Sequence, residues 1–142
     1  MIRKMRHSDL KQVLEIEERS FKVPWTIKQY EYEMYDNPYA SLWVLENNGT
    51  VIGYYDLWVI FENAELANIA VDTVYRNQGY GQQLMDHMQQ QAANRGCENI
   101  SLEVRVSNQP AIRLYEKNDF FTVSLRKDYY KDEDGYRMMK GI

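Results

Sequence analysis

The spacing of apolar residues changes period repeatedly along the chain, and each change marks an element. Ile2 to Met5 reads as a short strand, and behind Ser8 as N-cap the residues Leu10, Val13, Leu14 and Ile16/Glu17 recur at helical spacing from about Asp9. Pro24-Trp25-Thr26 opens a second helix, with Tyr30 and Met34 on one face and Asn37-Pro38 at its end. Ser41 to Glu46 alternates like a strand, Asn47-Asn48-Gly49 is a hairpin turn signal, and Thr50 to Phe61 is a long partner strand. After a turn at Glu62-Asn63-Ala64 come a strand from Glu65 to Val71, a polar loop from Asp72 to Gln78, and a helix from Gly79 to Arg95 capped by a left-handed Gly96. Asn99 to Val106 reads as a strand and Pro110 to Lys117 as a short helix begun near Asn108. Phe120 to Tyr129 is a further strand, and Tyr136 to Lys140 a last one after a turn at Asp132 to Gly135.

The order β α α β β β α β α β β, with hairpins in its first half, predicts an α/β fold on a mixed sheet. Neither a repeat nor a linker interrupts the 142 residues, so one domain spanning 1–142 is expected. A hydrophobic fraction of 44% beside 27% charged residues is that of a globular chain. With 21 acidic against 17 basic residues the net charge is −4, which lacks the basic footprint of a nucleic-acid binder and suits an amine-bearing partner better. No apolar run approaches the roughly 18 residues of a membrane span and Met1 to Leu10 is too charged for a signal peptide, so the expected location is the cytoplasm. Cys97 is the single cysteine; with His7 and His87 it forms no metal-ligand spacing, and it reads as a structural residue at a helix-to-strand junction.

Candidate chemistry gathers at a loop and a strand. Arg76-Asn77-Gln78-Gly79-Tyr80-Gly81 lies between the apolar strand end Ile69-Ala70-Val71 and an amphipathic helix. Glycines there let the backbone approach a ligand, and the free N–H groups of a first helical turn favour a phosphate or pyrophosphate, although two glycines also simply make a tight turn. In Asn99 to Val106, alternation puts Ile100, Leu102, Val104 and Val106 on one face and Ser101, Glu103 and Arg105 on the other, a polar face suited to a cleft. Twelve tyrosines point the same way: with Trp25, the residues Tyr30, Tyr129 and Tyr130 are candidates to wall a groove for an extended peptide, and each is equally suited to a core.

These motifs resemble the GNAT superfamily of N-acetyltransferases, whose pattern of Arg or Gln, two residues, Gly, one residue, Gly or Ala is matched by Arg76 to Gly81. Leu102 to Asn108, Ala111 to Glu116, Asn68 to Asp72 and Pro24-Trp25-Thr26 are similar to the RimI branch, which acetylates the N-terminal alanine of ribosomal proteins. The resemblance implies a mostly antiparallel twisted sheet flanked by helices and splayed between its fourth and fifth strands, with acetyl-coenzyme A as cosubstrate. It implies that Ile69, Ala70 and Val71 pair with the pantetheine arm and polarise the thioester. Arg76, Asn77, Gln78, Gly79, Tyr80, Gly81 and Gln82 would cradle the pyrophosphate, and Asn108 would bond the cofactor arm. Glu103 would be the general base and Tyr115 the general acid. The implied acceptor is a protein N-terminal amine; other amines, such as lysine or a polyamine, fit the same core, and a non-catalytic coenzyme A-binding module is the alternative of another class. The chain departs from the family pattern at Asn77, where a second basic residue is frequent, at Thr73, where Pro is, and at Asp119, where Gly is usual.

Overall fold

The computed structural model describes residues 1–142. Its strands are β1 (Ile2–Lys4), β2 (Ala40–Asn47), β3 (Thr50–Ile60), β4 (Asn63–Val71), β5 (Asn99–Arg105), β6 (Phe121–Arg126) and β7 (Gly135–Gly141); its helices are α1 (Leu10–Ser20), α2 (Ile27–Tyr35), α3 (Tyr80–Asn94) and α4 (Gln109–Lys117). One seven-stranded sheet runs in the order β1-β2-β3-β4-β5-β7-β6. Every pairing is antiparallel except β4 with β5. This is the expected α/β architecture, a mostly antiparallel sheet flanked by helices.

Two hydrophobic clusters occupy the two faces of the sheet. Leu10, Val13, Ile16 and Tyr30 of α1 and α2 pack on Leu42, Val44, Val51 and Tyr54. Leu84, Met85 and Met88 of α3 and Ile112 and Tyr115 of α4 pack on Ile52, Tyr55, Leu57, Ile100 and Leu102. Both helical pairs therefore bury an apolar stripe, which drives their docking by removing that surface from water. Cys97 is buried in the second cluster, just after the left-handed Gly96.

Most boundaries fall within one or two residues of the expectation, and three differences have a local cause. Ser8 does not cap α1: it lies inside a 3-10 turn, His7–Asp9, whose start is fixed by the Asp9 carboxylate accepting the Arg6 N–H at 2.7 Å. β6 ends at Arg126 rather than Tyr129, because Asp128 and Lys131 adopt positive φ and the Asp128 N–H turns to the Asp134 side chain. The β3–β4 hairpin turns earlier than expected, with Phe61 at φ 56° and β4 already begun at Asn63.

Candidate active site

β4 and β5 are hydrogen-bonded neighbours only from Asn63 to Leu66 and from Asn99 to Leu102. Beyond that point they part. The cause is a bulge in β4: Asp56 pairs with Asn68 and Leu57 with Leu66, so Ala67 is the extra residue and bends its strand. The Asp72 N–H bonds to Ile52 of β3, so strand alternation turns the N–H groups of Ile69 and Val71 to the opposite edge, where β5 no longer covers them. A cleft of about 480 Å³ fills the gap, lined by Leu66 to Ile69 on one side and Leu102 to Arg105 on the other.

Glu103, Tyr115 and Asn108 all line this cleft. Glu103 Oε1 is ion-paired with Arg137 Nη1 at 2.9 Å and Arg126 Nε at 3.3 Å, whereas its Oε2 is buried without a hydrogen-bond partner. One oxygen is thus spoken for and the other is a buried acceptor without a donor. Tyr115 packs at a tilt against Phe120, and burial pushes its phenol above the usual range, so it holds its proton at neutral pH. Asn108 caps α4, its Oδ1 accepting the Ala111 N–H, so only its amide nitrogen remains for a ligand.

The loop before α3 presents unpartnered backbone N–H groups. The first helical bond runs from Gln83 N–H to the Gly79 carbonyl, so the N–H groups of Tyr80, Gly81 and Gln82 head the helix without intrahelical partners. Asn77 at φ 61° and Gly79 at φ 87° make the bend, and Asn tolerates the left-handed region better than the basic residue it replaces. Asp119, at φ 70°, adopts the same conformation at another departure from the family pattern. Two expected side chains are turned away: Arg76 donates to the Val71 carbonyl and to Ser20, and Gln82 is bound to Asn118. The missing side chain of Gly81 faces Leu114, 3.3 Å from where its Cβ would stand, so the absence of a side chain here admits the close approach of α4.

The aromatic candidates separate. Trp25, Tyr129 and Tyr130 line the cleft, with the Arg105 guanidinium 4.5 Å over the Tyr130 ring. Tyr30 does not: it is wholly buried beneath Trp25 and donates to Glu17. Glu17 is the residue that sequence reasoning missed. Its buried carboxylate receives Tyr30 and Tyr54 hydroxyls at 2.7 and 2.6 Å, Asn68 Nδ2 at 3.0 Å and the Trp25 N–H at 2.9 Å, forming the cleft floor. A carboxylate on the apolar stripe of α1, in line with Leu10 and Val13, was its available signal.

Against this geometry, the sequence profile of the acetyltransferase (GNAT) family matches residues 10–120. The chain belongs to the GNAT acetyltransferase family. It is an acetyl-coenzyme A-dependent N-acetyltransferase. An Escherichia coli K12 relative named [ribosomal protein bS18]-alanine N-acetyltransferase is 36% identical, covering 90% of this chain and 85% of its own. A Bacillus subtilis relative, given the same activity provisionally, is 39% identical over 92% of this chain and 87% of its own. The crystal structure of the E. coli ribosomal-protein-S18-alanine N-acetyltransferase superposes with a TM-score of 0.91 at 33% identity, covering 100% of this chain and 93% of that one. The splayed sheet of this acetyltransferase is therefore the family's own, and no helix in it is long and apolar enough to cross a membrane.

Proposed function

We propose that this cytoplasmic, single-domain enzyme acetylates a protein N-terminal α-amine, that of alanine on ribosomal protein bS18, with Glu103 as general base and Tyr115 as general acid. The observation that carries the reading is the convergence, on one cleft, of the uncovered β4 edge, the unpartnered Glu103 Oε2 and the buried Tyr115. The Val71 N–H offers a donor to the pantetheine arm and the thioester carbonyl, and the Ile69 N–H, held by Asn68 Oδ1 at 3.1 Å, becomes a second donor once that side chain turns aside. The loop from Arg76 to Gln82 offers the N–H groups of Tyr80 to Gln82 to the pyrophosphate. Asn108 offers its amide nitrogen to the arm.

An α-amine has a reference pKa of about 7.7 to 8.0 against about 10.4 for lysine, so it gives its proton to a carboxylate far more readily at neutral pH. Glu103 takes that proton, directly or through one water, as the amine attacks the thioester carbonyl. The departing thiolate takes its proton from Tyr115, and the phenolate recovers one from the nitrogen, which sheds its second proton as the amide forms. Trp25, Tyr129 and Tyr130 wall the entrance along which the peptide lies. The names of the E. coli and B. subtilis relatives support the choice of acceptor. The test is acetylation of an Ala-start peptide, a Leu-start version, and an N-blocked peptide with an internal lysine, with the acetyl group located by fragmentation mass spectrometry. Preference for the Ala start is expected; predominant lysine modification, or equal Ala and Leu rates, overturns the acceptor assignment.

A further inference from the structure

Glu103 and Arg137 stand directly opposite each other in the β5–β7 ladder, and this cross-strand pair is braced from behind. Arg137 Nη2 donates to Ser101 Oγ at 3.0 Å, Ser101 Oγ donates to Glu65 Oε1 at 3.0 Å, and Glu65 Oε1 lies 3.5 Å from Arg137 Nη1. A polar row thus crosses β4, β5 and β7 on the sheet face that leads into the cleft. Ser101 is buried within it, although alternation alone had placed it on a wet face. Both cations near Glu103, Arg137 and Arg126, meet the same oxygen, Oε1, and the Arg126 side chain is the more exposed, at 44% against 27%.

We propose that Arg137 is a positioning residue for acetyl transfer: braced by Ser101 and Glu65, it anchors Glu103 Oε1 and so fixes the orientation of the carboxylate that takes the proton of the acceptor amine. The inference rests on Glu103 being the base. A carboxylate torsion is broad and nearly two-fold, so an unanchored Glu103 presents either oxygen over a wide arc. A charge-assisted bond from a planar guanidinium held at a second point removes that freedom, and lysine, a point charge with no fixed fork, would hold less of it. Proton transfer depends on hydrogen-bond reach, so the lost alignment appears as lost turnover. The groups facing Glu103 are Arg137 from β7, Arg126 from β6, Glu65 from β4, and Tyr129 and Tyr130 from the loop between β6 and β7.

The experiment places Arg137→Met and Arg137→Lys in the wild-type enzyme and in Glu103→Gln, and measures kcat with an Ala-start peptide at saturating acetyl-coenzyme A. Acetyl-coenzyme A affinity is read by calorimetry and the pH dependence of kcat is recorded. Arg137→Met should lower kcat about 10-fold in the wild-type background and less than about 2-fold in Glu103→Gln, because the two residues act as one unit. The acid limb of kcat should move to higher pH when the cation is lost, cofactor affinity should hold, and Arg137→Lys should recover part of the rate. Equal losses in the two backgrounds, or an unmoved acid limb, would overturn the proposal while leaving Glu103 as base. A Glu103→Gln enzyme of unchanged kcat would instead remove the base reading and this proposal with it. Should Arg137→Met not fold, the Lys variant carries the same comparison.

Discussion

Asn68 Nδ2 lies 3.0 Å from Glu17 Oε1. The other end of the same amide accepts the Ile69 N–H at 3.1 Å, so one side chain ties the buried carboxylate of α1 to the edge of β4 that faces the cleft. Replacing Glu17 by Ala would strand the Tyr30 and Tyr54 hydroxyls and the Trp25 N–H in the interior. Breaking a buried charge network of this kind costs about 3 kcal/mol, which urea unfolding would register as a lower midpoint with unchanged slope. Glu17→Gln, which keeps an accepting oxygen, should lose less. An unchanged midpoint in Glu17→Ala would mean that the network contributes nothing net.

Asp56, on β3, is 1% exposed and neither of its oxygens finds a hydrogen-bond partner. Burial first, and then the neighbouring Glu33 carboxylate, push its pKa up from 3.8 to about 10. A raised acid binds more protons folded than unfolded, so its contribution is fully present below the unfolded pKa and is lost as pH rises toward about 10. Asp56→Asn removes that dependence. The variant should gain stability relative to wild type steadily from pH 5 to pH 9, measured by unfolding at each pH; a difference that stays flat would show that Asp56 titrates normally.

Glu103→Gln preserves the shape of the cleft wall and removes the proton acceptor. Turnover should fall on the order of 10²-fold or more, the scale of general base catalysis, with acetyl-coenzyme A affinity intact. Tyr115→Phe should fall comparably, and since Tyr115 sits in the core that packs α4, its thermal unfolding is recorded alongside to separate packing from proton donation. Near-wild-type turnover at pH 7, with chemistry shown to be rate-limiting, would remove the role from whichever residue was changed.

The periodicity of single elements was legible because it is local: α2 begins where Thr26 caps it, α4 where Asn108 does, and the hairpin after Asn47 turns as its residues require. The bulge at Ala67 was not legible, since it exists only in the register between β4 and β3 and nothing in the residue itself demands it. The same holds for Arg137, whose meaning depends on a cross-strand partner 34 positions away in sequence. Tyr30 and Trp25 are chemically alike as candidates for a groove wall, and only the depth of the buried Glu17 carboxylate separates them. The resemblance to the family located the cleft, while Ser8 shows how a good capping residue yields to a neighbour, Asp9, whose carboxylate also ion-pairs with Arg3.

The two glycines of the cofactor loop should behave differently when given the same methyl group. Gly79 lies at φ 87° with open space where a Cβ would project, so Gly79→Ala meets no clash but forces an L-residue into the left-handed region, at a cost of about 1 kcal/mol or more. Relaxing that strain moves the N–H groups of Tyr80, Gly81 and Gln82, the donors proposed for the pyrophosphate, while the Arg76 and Gln82 side chains are directed elsewhere. Gly81→Ala places its Cβ 3.3 Å from Leu114 Cδ2, the end of a flexible side chain that can yield by a few tenths of an ångström, and leaves the turn unchanged. Calorimetric titration with acetyl-coenzyme A should therefore show a loss of about tenfold for Gly79→Ala, the equivalent of about 1.4 kcal/mol, and little for Gly81→Ala. The reverse order would mean that the close approach of α3 to α4, and not the backbone cradle, governs cofactor affinity in this enzyme.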